Sequence, residues 1–218
     1  MFVKTTITGA VVAAAMAVGA NAATIDFTSA STGHSGTVMG INWTMSASGV
    51  LNNSQLYDGV GAKNAAQVAS GLSFQTDGYG VGAKDDEITT SAKSKEWITI
   101  SFAKPVLLKA VYWLDLFIAA NQGSKEVGQV TTSNGDSYQT SAVQVVNGAR
   151  PGFAGSMINS GKWITSLTFS VLDSNDAYGF ADAALAGVEV APVPVPAAGA
   201  LMVAGLGGLA ALRRRKKA

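Results

Sequence analysis

The chain has 218 residues, 48% of them hydrophobic, with 15 Lys and Arg, 14 Asp and Glu, one histidine and no cysteine. Without cysteine there are neither disulfides nor thiolate metal sites, and a lone histidine leaves an ordinary zinc site short of ligands. The net charge of +1 hides an asymmetry: all 14 acidic residues but only nine of the 15 basic ones lie between Ala23 and Ala191, a balance of −5 that argues against nucleic-acid binding.

Residues 1–22 carry Lys4, an apolar run from Ile7 to Val18, and then Ala20-Asn21-Ala22. A charged start, an apolar middle and a small-x-small end predict a signal peptide, cut by signal peptidase between Ala22 and Ala23. The 169 residues from Ala23 to Ala191 suit one domain with a proper core.

From Ala23 the texture turns to Thr, Ser, Gly and Asn with short alternating apolar runs. Thr24 to Phe27 reads as a first strand, with the last strand as its candidate partner. Ile41 to Met45 alternates and reads as a second. Leu51 to Gly71 is loop-like, with a helical turn over Ala65 to Ala69 as its one regular piece. Leu72-Ser73-Phe74 reads as a short strand, and Asp77 to Gly82 as a glycine-rich loop.

Trp97 to Phe102 puts Ile98, Ile100 and Phe102 on one face, and Lys104-Pro105 predicts a break. Val106 to Phe117 resumes with Leu108, Ala110, Tyr112, Leu114 and Leu116 on one face. Leu107, Val111, Trp113 and Phe117 lie on the other, so this strand reads as central and covered on both sides. Asn134-Gly135 between Gln129–Thr132 and Ser137–Thr140 predicts a tight hairpin with positive φ angles. Val143 to Val146, Trp163 to Leu172 and Leu185 to Val190 complete about nine strands; in the second, Trp163, Thr165, Leu167, Phe169 and Val171 share a face. Turn signals every 8 to 12 residues predict an all-β sandwich of jelly-roll type.

Catalytic signals are sparse. His34 sits in Ser-Thr-Gly-His-Ser-Gly and reads as solvated, and no Gly-x-Ser-x-Gly elbow locates a nucleophile. Gly78 to Lys84 fails the spacing of a phosphate-binding loop. Asp85-Asp86-Glu87 is the one dense carboxylate cluster. Its hard oxygens suit Ca²⁺, with Asp182 or Asp176 as a distant partner, although a solvated loop is the simpler reading. Paired carboxylates also serve glycoside hydrolysis, but sequence gives no separation between them. Trp43, Trp97, Trp113 and Trp163, with Tyr79 and Tyr178, raise stacking on carbohydrate against ordinary core packing.

The most informative stretch is 192–218. Val193, Pro194, Val195, Pro196, Ala197 and Ala198 form a proline motif, and 197–212 carries no charge. Arg213, Arg214, Arg215, Lys216 and Lys217 follow. A helix over 197–212 spans roughly 24 Å, and uncharged residues upstream extend it toward the roughly 30 Å of a bilayer's hydrocarbon core. The basic tail predicts retention on the cytoplasmic side, with the acidic domain outside.

In that order, the three parts resemble the C-terminal sorting signal of the PEP-CTERM class, in the VPLPA-CTERM variant whose motif reads Val-Pro-Leu-Pro-Ala-Ala. This chain departs from it at Val195, where that variant has leucine. The resemblance covers about 26 residues. It implies an exported bacterial protein held at the inner membrane until an exosortase-type membrane protease recognises the motif, then delivered to the cell surface or exopolysaccharide matrix. The catalytic residues would be the protease's. The stretches GVGAKDDEI, EWITISFAKPVLL and ALAGVEV are similar to exported domains that carry this tail. The expected role is non-enzymatic; the alternatives are a carbohydrate-binding module for exopolysaccharide and a secreted hydrolase.

Overall fold

Period-two runs of β-branched and aromatic residues dominate the middle of the chain, and they pair as antiparallel strands. A computed structural model describes residues 21–120, 124–146, 151–172 and 180–193. Residues 1–20 of the predicted signal segment 1–22, the motif beyond Val193, the segment 197–212 and the basic tail 213–217 lie outside the described residues, as do Asp176 and Tyr178. Among the described residues no helix is long and apolar enough to cross a membrane.

In chain order the elements are β1 (Ala23–Asp26), β2 (Ser35–Val38), β3 (Ile41–Ala47), β4 (Leu51–Asn52), α1 (Ala65–Ser70), β5 (Gly80–Val81), β6 (Thr90–Ser91), β7 (Ile98–Leu114) and β8 (Phe117–Ile118). There follow β9 (Val127–Thr132), β10 (Ser137–Ser141), β11 (Gln144–Val145), β12 (Ala154–Met157), β13 (Trp163–Leu172), β14 (Phe180–Ala181) and β15 (Ala184–Pro192). The protein is all-β, with one short helix capped by Asn64 and Gln67 acting reciprocally.

Nine strands form one antiparallel sheet in the order β1-β15-β7-β13-β9-β10, with β12 and β3 also on β7 and β2 on β3. The first and last strands pair as expected, Ala23 opposite Val190. β7 is central, also as expected. Lys104-Pro105 interrupts the pairing and not the strand. Ser101 pairs with Ser166 and Val106 with Ile164, so residues 102–105 stand opposite Thr165 alone on β13. Pro105 is exposed there, where its missing N–H costs no ladder bond.

Two irregularities correct the predicted faces. Against β15 the register passes from Ala110–Glu189 to Leu108–Val190, which leaves Lys109 unpaired. The strand therefore changes phase. Leu108, Val111 and Trp113 enter the main core, whereas Ala110, Tyr112 and Leu114 enter a second cluster with Leu72, Phe74 and Phe153. On β13 the shift at Thr165 turns Trp163 outward, 56% exposed, while Leu167, Phe169 and Val171 stay buried.

The hairpin forms between β9 and β10, but only Gly135 has positive φ, at 83°. Its N–H donates to Thr132 O at 2.9 Å, so the turn is a type I turn closed by a glycine bulge. Leu72 to Phe74 is not a strand. The Ser73 N–H donates to Asp26 Oδ2 and the Phe74 N–H to Thr28 Oγ1, so side chains replace a ladder there.

A carboxylate-rich candidate site at the end of the central strand

β7 ends at Leu114, and Asp115 follows with φ 56°, a left-handed conformation that aspartate tolerates better than most residues. The Asp115 N–H donates to Pro151 O at 3.0 Å and the Leu116 N–H to Gly152 O at 3.1 Å. Burial, then the charges of Asp77 and Glu87, push the Asp115 carboxyl up to about 9.

Asp77 reaches this place from the loop before β5. It is 8% exposed, and its Oδ1 accepts the Asp58 N–H at 3.3 Å. Burial and then Asp58 push it up to about 7. Asp86 is 4% exposed and is raised chiefly by burial; its Oδ2 is buried without a hydrogen-bond partner.

Gly80 on β5 makes this fold-back passable. A Cβ there would stand 1.9 Å from the Asp86 carbonyl carbon and 2.0 Å from the Glu87 nitrogen. The Val81 N–H closes the turn on Glu87 O at 2.9 Å, and Asn52 Nδ2 donates to Asp85 O at 3.1 Å.

Glu87 and Glu126 extend the acidic region. Burial, then Asp182, raises Glu87 to about 8. Glu126 Oε2 accepts the Phe117 N–H at 2.6 Å and Oε1 the Asp182 N–H at 3.3 Å, fastening β8 to the turn before β15. Burial raises it to about 8 as well, with Asp182 adding to the shift. Between described residues the ion pair is Lys162–Asp136, 2.9 Å long, at the β9–β10 turn.

The predicted cluster Asp85-Asp86-Glu87 does not act as one ligand set. Within this turn the side chains part: Asp85 is exposed and its Oδ1 accepts the Glu87 N–H at 3.2 Å, Asp86 is buried, and Glu87 lies within the influence of Asp182. Among the described residues no three acidic or histidine side chains are gathered to hold a metal ion. Asp182, the expected distant partner, does come near Glu87. Asp77, Asp115 and Glu126 were not foreseen. The one signal in the sequence was Asp115, a lone carboxylate inside the apolar run Tyr112 to Phe117.

The other candidates separate. His34 is exposed, its ring edge-on to Tyr79 at 5.5 Å, with no hydrogen bond to the imidazole among the described residues. Trp43 and Trp113 are buried and meet Phe27 and Phe169 edge-on at 5.7 and 5.9 Å. Trp97 and Trp163 are exposed. Trp163 pairs with Leu107, ten residues along β7 from Trp97, which separates them by roughly 30 Å.

A cleft of about 410 Å³ between β1 and β2 contains Asp26. That carboxylate already accepts hydrogen bonds from Thr28 N, Thr28 Oγ1 and Ser73 N. A second cleft of about 340 Å³, lined by Tyr57, Gln67 and Gln144, has no carboxylate.

No family model matches the chain, and neither a curated protein nor a solved structure is found similar to it.

Proposed function

We propose that the chain is an exported surface or matrix protein without enzymatic activity, delivered by an exosortase-type membrane protease acting on the motif that begins at Val193. The reading rests on one observation, the succession of proline motif, uncharged segment and basic tail in residues 193–217. The pairing of Ala23 with Val190 is consistent with it: the residue after the predicted signal cleavage opens the first strand, and the last strand closes at Pro192, just before the motif. The β-domain is read as a jelly-roll-like sandwich. Exopolysaccharide is the matrix component it would meet. A hydrolytic role draws no support from either cleft, since neither brings two carboxylates together.

The test is truncation after Val193. The shortened chain is expected to keep its fold, read by circular dichroism, and to leave the cell envelope for the medium. Neutralising Arg213 to Lys217 with glutamine should weaken retention of the full chain. A truncated chain that still sediments with membranes overturns the reading.

A further inference from the structure

The tip of the β9–β10 hairpin holds the pair Asn134-Gly135, which has a chemistry of its own. An asparagine amide is open to attack by the backbone nitrogen that follows it, and a glycine there has no side chain to obstruct the approach. Both residues are exposed, and nothing lies within 4 Å of the place a Cβ on Gly135 would take. Water reaches the pair freely. The two reacting groups are nevertheless held elsewhere. Asn134 Nδ2 donates to the Trp163 carbonyl of β13 at 2.8 Å, and the Gly135 N–H donates to Thr132 O at 2.9 Å. Two more bonds pin the tip to β13: the Ser133 N–H donates to Ser166 O, and the Thr165 N–H to Ser133 Oγ, each at 3.0 Å. Thr165 is the residue that the register shift leaves out of the ladder with β7, which frees its N–H for the hairpin.

We propose that Asn134 is a self-modification site which the fold keeps closed, converting to aspartate and isoaspartate only when the hairpin tip opens. In the open tip the Gly135 nitrogen gives its proton to solvent and bonds to Asn134 Cγ. The Cγ–Nδ2 bond breaks, and ammonia leaves with a proton taken from solvent. Water then opens the cyclic imide at either of its carbonyls. One opening gives aspartate, the other an isoaspartate whose main chain runs through the side-chain methylene. No reagent beyond water is consumed. Both products lack the Nδ2 donor that reaches the Trp163 carbonyl, and the longer isoaspartate backbone displaces Gly135 from Thr132. Opening of a few hydrogen bonds at a loop tip needs far less free energy than global unfolding, so the reaction proceeds slowly from the native chain. The inference does not depend on the sorting reading.

The experiment incubates the full chain in detergent at mildly alkaline pH, folded in one sample and unfolded in urea in the other. Tandem mass spectrometry of proteolytic fragments follows the conversion of Asn134 and separates aspartate from isoaspartate. Asn147-Gly148, the second Asn-Gly pair of the sequence, supplies the reference rate in urea. In urea the two pairs should react at similar rates. In the folded chain Asn134 should react at least about tenfold more slowly than in urea, with isoaspartate among its products. Ser133→Ala removes the acceptor of the Thr165 N–H and leaves the reacting pair intact, so it should speed the reaction of the folded chain severalfold and leave the urea rate unchanged. Conversion of Asn134 as fast in the folded chain as in urea overturns the proposal, and so does a folded rate that Ser133→Ala leaves where it was. If that variant fails to fold, the wild-type comparison decides alone.

Discussion

The two halves of β7 solve different problems. From Ile98 to Phe102 the strand lies between β3 and β13 and alternates buried with less buried residues, a single face against the main core. From Ala110 to Leu114 it lies between β15 and β12, is buried on both faces, and runs into Asp115 and its acidic neighbours. The first half owes its stability to packing, which is indifferent to pH. The second half ends among groups whose protonation must change if they are to ionise. One strand thus joins a pH-insensitive region to a pH-sensitive one.

The largest effects should come from the packing itself. Trp113 is fully buried, and Trp113→Ala should cost about 3–5 kcal/mol at every pH, read from denaturant melts. A cost that varied strongly with pH would break the division between the halves. Gly80→Ala should come next, at roughly 3 kcal/mol or more, because the new Cβ meets backbone that cannot yield without moving Asp86 and Glu87. Its crystal or NMR structure should show the Asp85–Glu87 turn displaced and β3, β7 and β13 unchanged.

The acidic end predicts a pH profile of unusual sign. Asp115 and Glu126 sit at about 9 and about 8 in the folded chain, against ordinary values of 3.8 and 4.5. Well below pH 3.8 both are neutral, folded or unfolded, and carry no penalty. As pH rises above that, the unfolded chain ionises while the folded one keeps its protons, so stability falls, by at most about 1.4 kcal/mol per pH unit for each group. The loss should level off only above pH 8 to 9. In chelator, the melting temperature should therefore decline from pH 5 to pH 9, and a flat or rising profile would contradict the assignment. Asp115→Asn should sharpen this. It keeps a residue that accepts positive φ and removes the charge, so it should stabilise at pH 8 by on the order of 1–2 kcal/mol and do little at pH 4.

Much of the sheet was legible because its longer strands carry period two. β3, β13, β15, the β9–β10 hairpin and the centrality of β7 all follow from alternation and one Asn-Gly pair. Of the six strands of two residues, β11 falls within the predicted Val143 to Val146 and β8 starts at the end of the predicted Val106 to Phe117; the other four were not legible, since two residues have no period. The unpaired residues Lys109 and Thr165 were not legible either, and each reverses the faces beyond it. Leu72 to Phe74 misled because its hydrogen bonds go to Asp26 and Thr28 side chains, 47 and 46 residues away.

The candidate site misled for the opposite reason. The dense run Asp85-Asp86-Glu87 drew notice, but the fold leaves Asp85 exposed and brings the charges of Asp86 and Glu87 to bear on Asp115, and that of Asp86 on Asp77, each from another segment. Nothing local brings those together. The ladder that places β15 beside β7 carries Asp182 toward Glu126, and the Gly80 contact carries Asp86 inward.

The smallest prediction tests the Thr165 irregularity. By simple alternation Trp163 belongs with Leu167 and Phe169, and its removal would then cost as much as that of Trp113. The register shift instead leaves its indole 56% exposed, with Asn134 Nδ2 donating to its carbonyl at 2.8 Å, a bond that side-chain truncation keeps. Trp163→Ala should therefore change stability by no more than about 0.5 kcal/mol, the range of ordinary surface substitutions. Trp97→Ala, 47% exposed just before β7, should behave alike. If Trp163→Ala were to cost about as much as Trp113→Ala in a denaturant melt, the irregularity would not exist in solution, and the outward face of β13 would have to be redrawn.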